Sequence, residues 1–268
     1  MLIHPVPNLW NLPFEDIKKI WFLKALDKCY GLYKEKSKRQ GEETIDLNSF
    51  DAVLFHSPYC KLVQKSLARL AFNDFKANSV SFPDQLQSSF AQISLEDSYF
   101  NKDVEKAFME LTQETFANKT QPSLLIATNV GNMYTSSLYG GLVSFLCSHD
   151  RVEDLVGKRV ALFSYGSGLV SSFFSIKVKD ESQVLTNLHS SLNDVHHRLK
   201  SRLKVCPQDF AQTMKLREET HHVAPYQPVA TTQSLFPATW YLASVDDKYR
   251  RKYLKNWIIR HKLAKTGW

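Results

Sequence analysis

The stretch FHSPYCKLVQKSLARL, residues 55–70, decides the fold of this 268-residue chain because it passes from an apolar strand into an amphipathic helix. Residues 53–55 form a short apolar run that is typical of a buried strand. Ser57 and Pro58 then predict a helix start, with the serine as its cap and the proline at the first helical position. The sequence therefore places His56 at the carboxyl end of a strand, the edge at which open α/β sheets collect ligands.

The helix that follows carries two cationic side chains. Lys61 and Lys65 are four residues apart and therefore share one helix face. The apolar residues of the same helix are spaced to cover its buried side, namely Leu62, Val63, Leu67 and Leu70. We therefore expect the two lysines to lie below the histidine.

A second apolar run, SLLIAT at residues 123–128, predicts another buried strand, followed by a turn and a helix over about 133–147. Asn132 lies in that turn, where its side-chain amide can both donate and accept hydrogen bonds. Taken alone, an asparagine beside a glycine before a helix is a turn or cap residue.

Residues 159–164 and 169–178 predict two strands of an antiparallel hairpin, joined through YGSG at residues 165–168. Glycines allow a backbone to approach a ligand closely, and Ser167 lies between two of them. An isolated Gly-Ser-Gly is otherwise a simple hairpin turn.

The rest of the chain contains weaker patterns. We expect helices over 14–39, about 95–117 and 207–220, a helix within the polar residues 179–205, a polar connection over 75–92, and a strand over 239–245.

Four blocks together resemble the hydroxymethylglutaryl-CoA synthase family, in order along the chain: FHSPYCKLVQK from Phe55, GNMYTSSLYG from Gly131, FSYGSG from Phe163 and LFPATWYL from Leu235. The resemblance covers residues 23–253 and only the carboxyl-terminal half of that enzyme. It implies an α/β fold, one half of a thiolase-like fold with a mixed sheet and packed helices. Residues 1–22 are a divergent leader and residues 254–268 a divergent basic tail.

The resemblance also implies an acyltransferase that condenses acetyl-CoA with acetoacetyl-CoA, in mevalonate and isoprenoid synthesis or in ketone-body formation. His56 matches the family's catalytic histidine, which positions and polarises acetoacetyl-CoA. Asn132 and Ser167 match residues that contact the acyl substrate, and Lys61 and Lys65 match lysines that lie toward CoA. The CoA thioesters are substrates, and no cofactor is expected.

The nucleophilic cysteine and the catalytic glutamate of the family belong to its amino-terminal half, which has no counterpart here. Cys60 lies near a helix amino terminus, where a thiol pKa can be depressed, but the family has a cysteine at this place in addition to its nucleophile. We therefore expect an inert Cys60, an isolated chain without activity, and a homodimer or a full-length synthase partner. The alternative is a non-catalytic module that binds acyl-CoA or docks on a synthase. Thiolases and ketoacyl synthases are weaker matches to the same blocks.

Composition excludes several other classes. Hydrophobic content of 43% with 23% charged residues is ordinary for a globular protein, and no apolar run approaches the roughly 20 residues of a membrane span. The four cysteines and nine histidines show no metal-ligand spacing.

The net charge of +7 is a property of the carboxyl terminus. Eight basic residues and no acid lie from Lys248 onward, and the remaining 26 basic and 27 acidic residues leave −1. No nucleic-acid partner is expected. The tail is interpreted as a frayed surface segment, with a basic helix resting on a membrane as the alternative. The amino terminus lacks a signal-peptide pattern, so a cytoplasmic location is expected, with a mitochondrial one as the alternative.

Overall fold

Eleven α-helices and five β-strands form within the residues that the computed structural model describes, which are 14–42, 44–79, 81–180, 182–233 and 235–256. The chain divides into two compact units, one ending at Ser201 and one beginning at Arg202. No helix in the described ranges is long and apolar enough to cross a membrane.

The first unit contains ten helices and three strands within the described ranges. The strands are β1 (Ala52–Phe55), β2 (Arg159–Gly166) and β3 (Val170–Lys177). The helices are α1 (Phe14–Arg39), α2 (Cys60–Lys76), α3 (Asp84–Phe90), α4 (Leu95–Ser98), α5 (Lys102–Leu111), α6 (Gln113–Lys119), α7 (Leu125–Val130), α8 (Ser137–Cys147), α9 (Ser182–Ser191) and α10 (Val195–Lys200).

The sheet of this unit is mixed, with the order β1-β2-β3. Strand β1 runs parallel to β2, with Phe55 opposite Phe163, and β2 pairs antiparallel with β3. The prediction of an antiparallel hairpin through residues 165–168 is therefore confirmed, as is the mixed α/β fold class.

Helices cover both faces of the sheet because successive residues of a strand point to opposite sides. Val53 and Phe55 belong to the core that β1 and β2 share with α1 and α2. Ala52 and Leu54 belong to a second core, to which α8 contributes Phe145. All four residues of β1 are buried, which is why a short continuous apolar run predicted this strand correctly.

Helix α1 spans 26 residues and confirms the predicted helix over 14–39. Its buried side chains recur at four-residue intervals at Phe22, Leu26 and Tyr30, so they form one stripe facing the core. The Tyr30 hydroxyl donates to the buried carboxylate of Asp74 on α2, which ties the two helices together.

The predicted helix start at Ser57 and Pro58 is wrong, because α2 begins at Cys60 after an extended Tyr59 that makes no side-chain cap. The backbone N–H of Ser57 instead donates to the Ser137 hydroxyl. Ser57 therefore lies in the connection between β1 and α2 rather than in the helix.

The predicted strand over residues 123–128 is also wrong. This segment is a 3-10 turn, Gln121–Leu124, followed by α7. Leu124 and Ala127 are buried three residues apart, a helical spacing, and the Ile126 N–H donates to the Ser144 hydroxyl of α8 instead of to a neighbouring strand. A six-residue apolar run is compatible with either structure.

The single helix predicted over about 95–117 is divided into α4, α5 and α6. The Asn101 side chain accepts hydrogen bonds from the N–H groups of Asp103 and Val104, and so starts a new helix. Residues 75–92, predicted as a connection, include α3. Residues 179–205 contain α9 and α10 where one helix was predicted.

The second unit consists of α11 (Pro207–Glu219) and an antiparallel pair of strands, β4 (Trp240–Val245) and β5 (Arg251–Lys255). The predicted helix over 207–220 and strand over 239–245 are confirmed. The predictions for residues 1–13 and for most of the basic tail, 257–268, lie outside the described residues.

Candidate active site

His56 directly follows β1 at the carboxyl edge of the sheet, as predicted. Its backbone N–H donates to the Phe163 carbonyl of β2 at 2.8 Å, which continues the strand pairing by one residue. The imidazole is half-buried, and this burial lowers the pKa of His56 below its ordinary value because desolvation disfavours the charged ring. The ring is therefore neutral at pH 7, with one nitrogen able to donate and the other able to accept.

Asn132 lies in the short loop between α7 and α8. Its side-chain oxygen accepts the backbone N–H of Tyr134 at 2.8 Å, and the preceding Gly131 has a φ of +85° that favours glycine. Within the described part of the chain, its side-chain nitrogen has no protein acceptor. The loop thus fixes the amide oxygen and leaves the exposed amide nitrogen able to donate to a ligand.

Ser167 lies in the turn between β2 and β3, directly after β2 ends. Because β1 and β2 are parallel, the carboxyl ends of both strands reach the same edge of the sheet. Phe163 is the residue of β2 opposite Phe55. Three more residues, 164–166, extend β2 past that point by about 10 Å at the usual rise of a strand. The exposed Ser167 hydroxyl therefore stands farther out than His56 on the same edge.

One hydrogen bond connects the segment that carries Asn132 to the histidine. The Ser57 N–H donates to the Ser137 hydroxyl at 2.9 Å, and Ser137 is the first residue of α8. The structure thus places His56 and the Ser167 turn at one sheet edge and connects the residue after His56 to the helix that follows the Asn132 loop.

The two predicted lysines line different cavities. The Lys61 ammonium lies on the surface, donates to Gln64 at 2.8 Å and lines a cavity of about 650 Å³. The Lys65 ammonium lies 2.8 Å from a Glu105 carboxylate oxygen and lines a separate cavity of about 240 Å³. Lys61 therefore carries the positive charge of the larger cavity, whereas the charge of Lys65 is paired with a carboxylate.

The model of the hydroxymethylglutaryl-coenzyme A synthase carboxyl-terminal domain family matches residues 17–256. The chain belongs to this family.

Curated relatives support the same family. The chain is 47% identical over 243 residues to hydroxymethylglutaryl-CoA synthase 2 of Blattella germanica, which covers 87% of this chain and 52% of the relative. It is 46% identical over 245 residues to the cytoplasmic synthase of Mus musculus and to the mitochondrial synthase of Bos taurus, covering 87% of this chain and 47% and 48% of those relatives. The chain thus spans about half the length of the synthases that it matches.

Solved structures share the fold. The structure of MvaS in complex with 3-hydroxy-3-methylglutaryl coenzyme A superposes with a TM-score of 0.68 at 22% identity, covering 95% of this chain and 54% of that one. The curacin biosynthetic pathway HMG synthase superposes with a TM-score of 0.59 at 19% identity, covering 94% of this chain and 54% of that one. The architecture is therefore one half of the thiolase-like hydroxymethylglutaryl-CoA synthase fold.

Cys60 is the thiol nearest to the candidate site in sequence. It opens α2 and is half-buried, and its sulfur lies 3.6 Å from the Thr128 hydroxyl. All four cysteines are free thiols. Within the described ranges, no group of three or more His, Cys, Asp or Glu could hold a metal ion.

The hydrogen bond between Ser57 and Ser137 was not predicted from the sequence. Ser137 lies within the GNMYTSSLYG block, but its contact with Ser57 joins residues 80 positions apart. No local pattern reports such a contact. The combination of two adjacent serines at a helix start could have signalled a polar contact there.

Proposed function

We propose that this chain forms the acetoacetyl-CoA side of a hydroxymethylglutaryl-CoA synthase, which condenses acetyl-CoA with acetoacetyl-CoA. The observation that carries the proposal is the common sheet edge of His56 and the Ser167 turn, together with the hydrogen bond that joins the residue after His56 to the helix following the Asn132 loop. A histidine, an amide and a hydroxyl supply hydrogen-bond donors suited to a substrate with two carbonyl groups.

In this reaction acetyl-CoA acylates a cysteine thiolate with release of CoA, and the acetyl methyl group loses a proton to a carboxylate. The resulting carbanion attacks the ketone carbon of acetoacetyl-CoA, and hydrolysis of the thioester releases the product. Negative charge develops on the ketone oxygen during the attack, so a donor placed there stabilises the transition state.

His56 is the proposed donor to that ketone oxygen. Burial keeps its ring neutral near pH 7, so the ring donates a hydrogen bond from one nitrogen while it carries no net charge. The backbone hydrogen bond to Phe163 holds the residue at the strand end, where the ring is half-buried yet still accessible. Both conditions suit orientation and polarisation of a carbonyl group.

Asn132 and Ser167 are the proposed contacts to the acyl chain and the thioester. The Asn132 amide is oriented by the hydrogen bond that its oxygen accepts from Tyr134. Lys61 and Lys65 remain the proposed contacts toward CoA, whose phosphates favour cationic partners. The unequal surroundings of the two lysines support Lys61 as the stronger contact, because Lys65 would have to share its charge with Glu105.

The proposed reaction needs a second half. The family's thiolate and carboxylate lie in its amino-terminal half, and the chain spans about half the length of its relatives. Cys60 is half-buried against Thr128, in keeping with a thiol that does not attack the substrate. We infer that the isolated chain has no turnover.

An exposed apolar face supports a protein partner. Val170, Phe174 and Ile176 project from the same side of β3 with exposures of 75%, 41% and 38%, and Tyr139 of α8 is 69% exposed. Phe174 is opposite Leu162, which packs on the α8 side of the sheet, so this apolar face lies beside α8. We propose that the amino-terminal half of a synthase, or a second copy of this chain, covers it. A chain that is monomeric by light scattering and binds no hydrophobic dye would contradict this.

The proposed function is tested with purified chain, acetyl-CoA and acetoacetyl-CoA. We expect acetoacetyl-CoA binding that weakens in His56→Ala and in Lys61→Ala, with no product formed by the chain alone. Lys215→Ala is the matched control, since Lys215 is an exposed lysine of the second unit that pairs with Glu219 on the same helix, α11. Equal binding by the parent and by His56→Ala would contradict the proposal.

The second candidate function is a non-catalytic module that binds acyl-CoA or docks on a full-length synthase, and the apolar face beside α8 favours it. Turnover that disappears in His56→Ala would favour the enzyme, whereas binding without turnover even beside a supplied amino-terminal half would favour the module. A cytoplasmic location, with no cofactor beyond the CoA substrates, is proposed with either function.

A further inference from the structure

Two different elements hold the peptide groups on either side of the His56 α-carbon. The His56 N–H donates to the Phe163 carbonyl of β2 at 2.8 Å. The next N–H, that of Ser57, donates to the Ser137 hydroxyl of α8 at 2.9 Å. Rotation about either backbone bond of His56 would break one of these hydrogen bonds. Together they set the direction in which the imidazole leaves the backbone.

The bond from Ser57 to Ser137 is shielded from water. The two residues are 3% and 2% exposed, and the Ser137 oxygen also lies 3.4 Å from the Ser57 carbonyl. A buried N–H that loses its acceptor carries the full desolvation penalty, because no water can replace the lost partner. The segment would therefore have to move outward if the Ser137 hydroxyl were removed.

The two serines contribute unequally to this contact. Within the described residues, the Ser57 hydroxyl is buried and has no hydrogen-bond partner. Ser57 takes part only through its backbone, which any residue supplies, whereas Ser137 takes part through its side chain. Removal of one hydroxyl should thus affect His56, and removal of the other should not.

Ser137 also follows the segment that carries Asn132. That segment is turned by the hydrogen bond from the Tyr134 N–H to the Asn132 side chain, and it leads into α8 at Ser137. The hydroxyl of Ser137 therefore joins the Asn132 segment to the residue after His56.

We propose that Ser137 is a positioning residue, whose hydroxyl holds the His56 backbone and sets the placement of His56 relative to Asn132. The inference rests on the proposed function of His56 as the donor to acetoacetyl-CoA. Ser137 itself need not touch the substrate.

The test uses the full chain and variants of three serines, Ser57, Ser137 and Ser144. In Ser137→Ala, we expect the imidazole of His56 to become better hydrated, so its pKa, measured by ¹⁵N NMR of the ring, should rise toward the ordinary value. The Ser57 amide should exchange with solvent about tenfold faster or more, relative to the parent. Ser57→Ala should change neither measurement.

Ser144→Ala is the matched control. Ser144 is fully buried on the same helix, and its hydroxyl also accepts a backbone N–H, that of Ile126 at 3.0 Å. This variant should also lower stability by removing the acceptor of a buried N–H, and it should leave the pKa of His56 unchanged. An equal shift of His56 in Ser144→Ala and Ser137→Ala would show that the effect is general loosening, and would overturn the inference.

Two further experiments test the inference if Ser137→Ala does not fold. Ser137→Cys keeps a weaker acceptor at the same place and should shift His56 in the same direction by less. In the parent chain, a Ser57 amide that exchanges at the rate of a free peptide would overturn the inference directly.

Binding of acetoacetyl-CoA by the parent chain is measured separately. Absent binding would contradict the proposed function and leave the result for His56 and Ser137 unchanged. A titration of His56 that is the same in the parent and in Ser137→Ala would overturn the inference whatever the binding result.

Discussion

Replacing Asp27 by alanine should destabilise the first unit strongly, because Asp27 is one half of a buried ion pair between α1 and α2. The carboxylate accepts hydrogen bonds from the Arg69 guanidinium at 2.9 and 2.6 Å, from the Asn73 amide at 2.8 Å and from the Tyr99 hydroxyl at 2.5 Å. The side chains of Asp27 and Arg69 are only 5% and 6% exposed. The variant leaves the Arg69 charge buried without its partner.

The expected loss is about 3–5 kcal/mol in the free energy of unfolding, the range found when one partner of a buried pair is removed. Urea denaturation followed by circular dichroism measures it. The matched control is Glu35→Ala on the same helix, where Glu35 is 63% exposed and lies 3.8 Å from Arg39. That exposed pair should contribute no more than about 1 kcal/mol.

A double variant separates the ion pair from the packing around it. Asp27→Leu combined with Arg69→Met removes both charges and keeps apolar volume, so most of the lost stability should return. A single Asp27→Ala variant that is destabilised no more than Glu35→Ala would refute the reasoning. A double variant as unstable as the single one would refute it as well.

Three further predictions concern the sheet and its histidine. Phe163→Ala should cost about 3–5 kcal/mol in urea denaturation, because Phe163 is fully buried, whereas Val170→Ala at the exposed start of β3 should change stability by less than about 0.5 kcal/mol. Thr120→Val should cost about 1–3 kcal/mol in the same assay, because the Thr120 hydroxyl donates to the Val53 carbonyl at a buried site. Burial lowers the pKa of His56, so the unfolded chain binds more protons than the folded chain as pH falls below about 6.5. Stability should therefore fall as pH is lowered through that window, and His56→Gln should reduce this slope in urea midpoints measured from pH 7.5 to 5.5. A larger slope in the variant would contradict the lowered pKa.

The sequence was sufficient to predict elements whose partners are close along the chain or whose pattern is long. Helix α1 is long enough for its helical spacing to be unambiguous, and the hairpin of β2 and β3 is formed by neighbouring segments. The position of His56 followed from the short buried strand before it. The apolar run of β1 was enough to predict this strand from local sequence, because all four of its residues are buried.

The segment at residues 123–128 could not be predicted in the same way. Its apolar run is short, so a strand and a helix bury it equally well, and the deciding contact is the one between Ile126 and Ser144. The ion pair between Lys65 and Glu105 could not be predicted either, because forty residues separate the two side chains in sequence. Such contacts depend on the packed fold rather than on local spacing.

The site itself was predicted from the resemblance to the family and not from local chemistry. Asn132 and Ser167 occur in ordinary turn sequences, and the structure places the Ser167 turn at the same sheet edge as His56. Ser137 was missed because a backbone contact across 80 residues leaves no periodic pattern.

The central claim is that His56 polarises the ketone of acetoacetyl-CoA, and ¹³C NMR of acetoacetyl-CoA labelled at its ketone carbon tests it most directly. A hydrogen bond to the ketone oxygen draws electron density from that carbon, so the bound signal should move downfield in the parent chain and return toward the free position in His56→Phe. A bound ligand whose ketone signal is the same in both proteins would contradict the account.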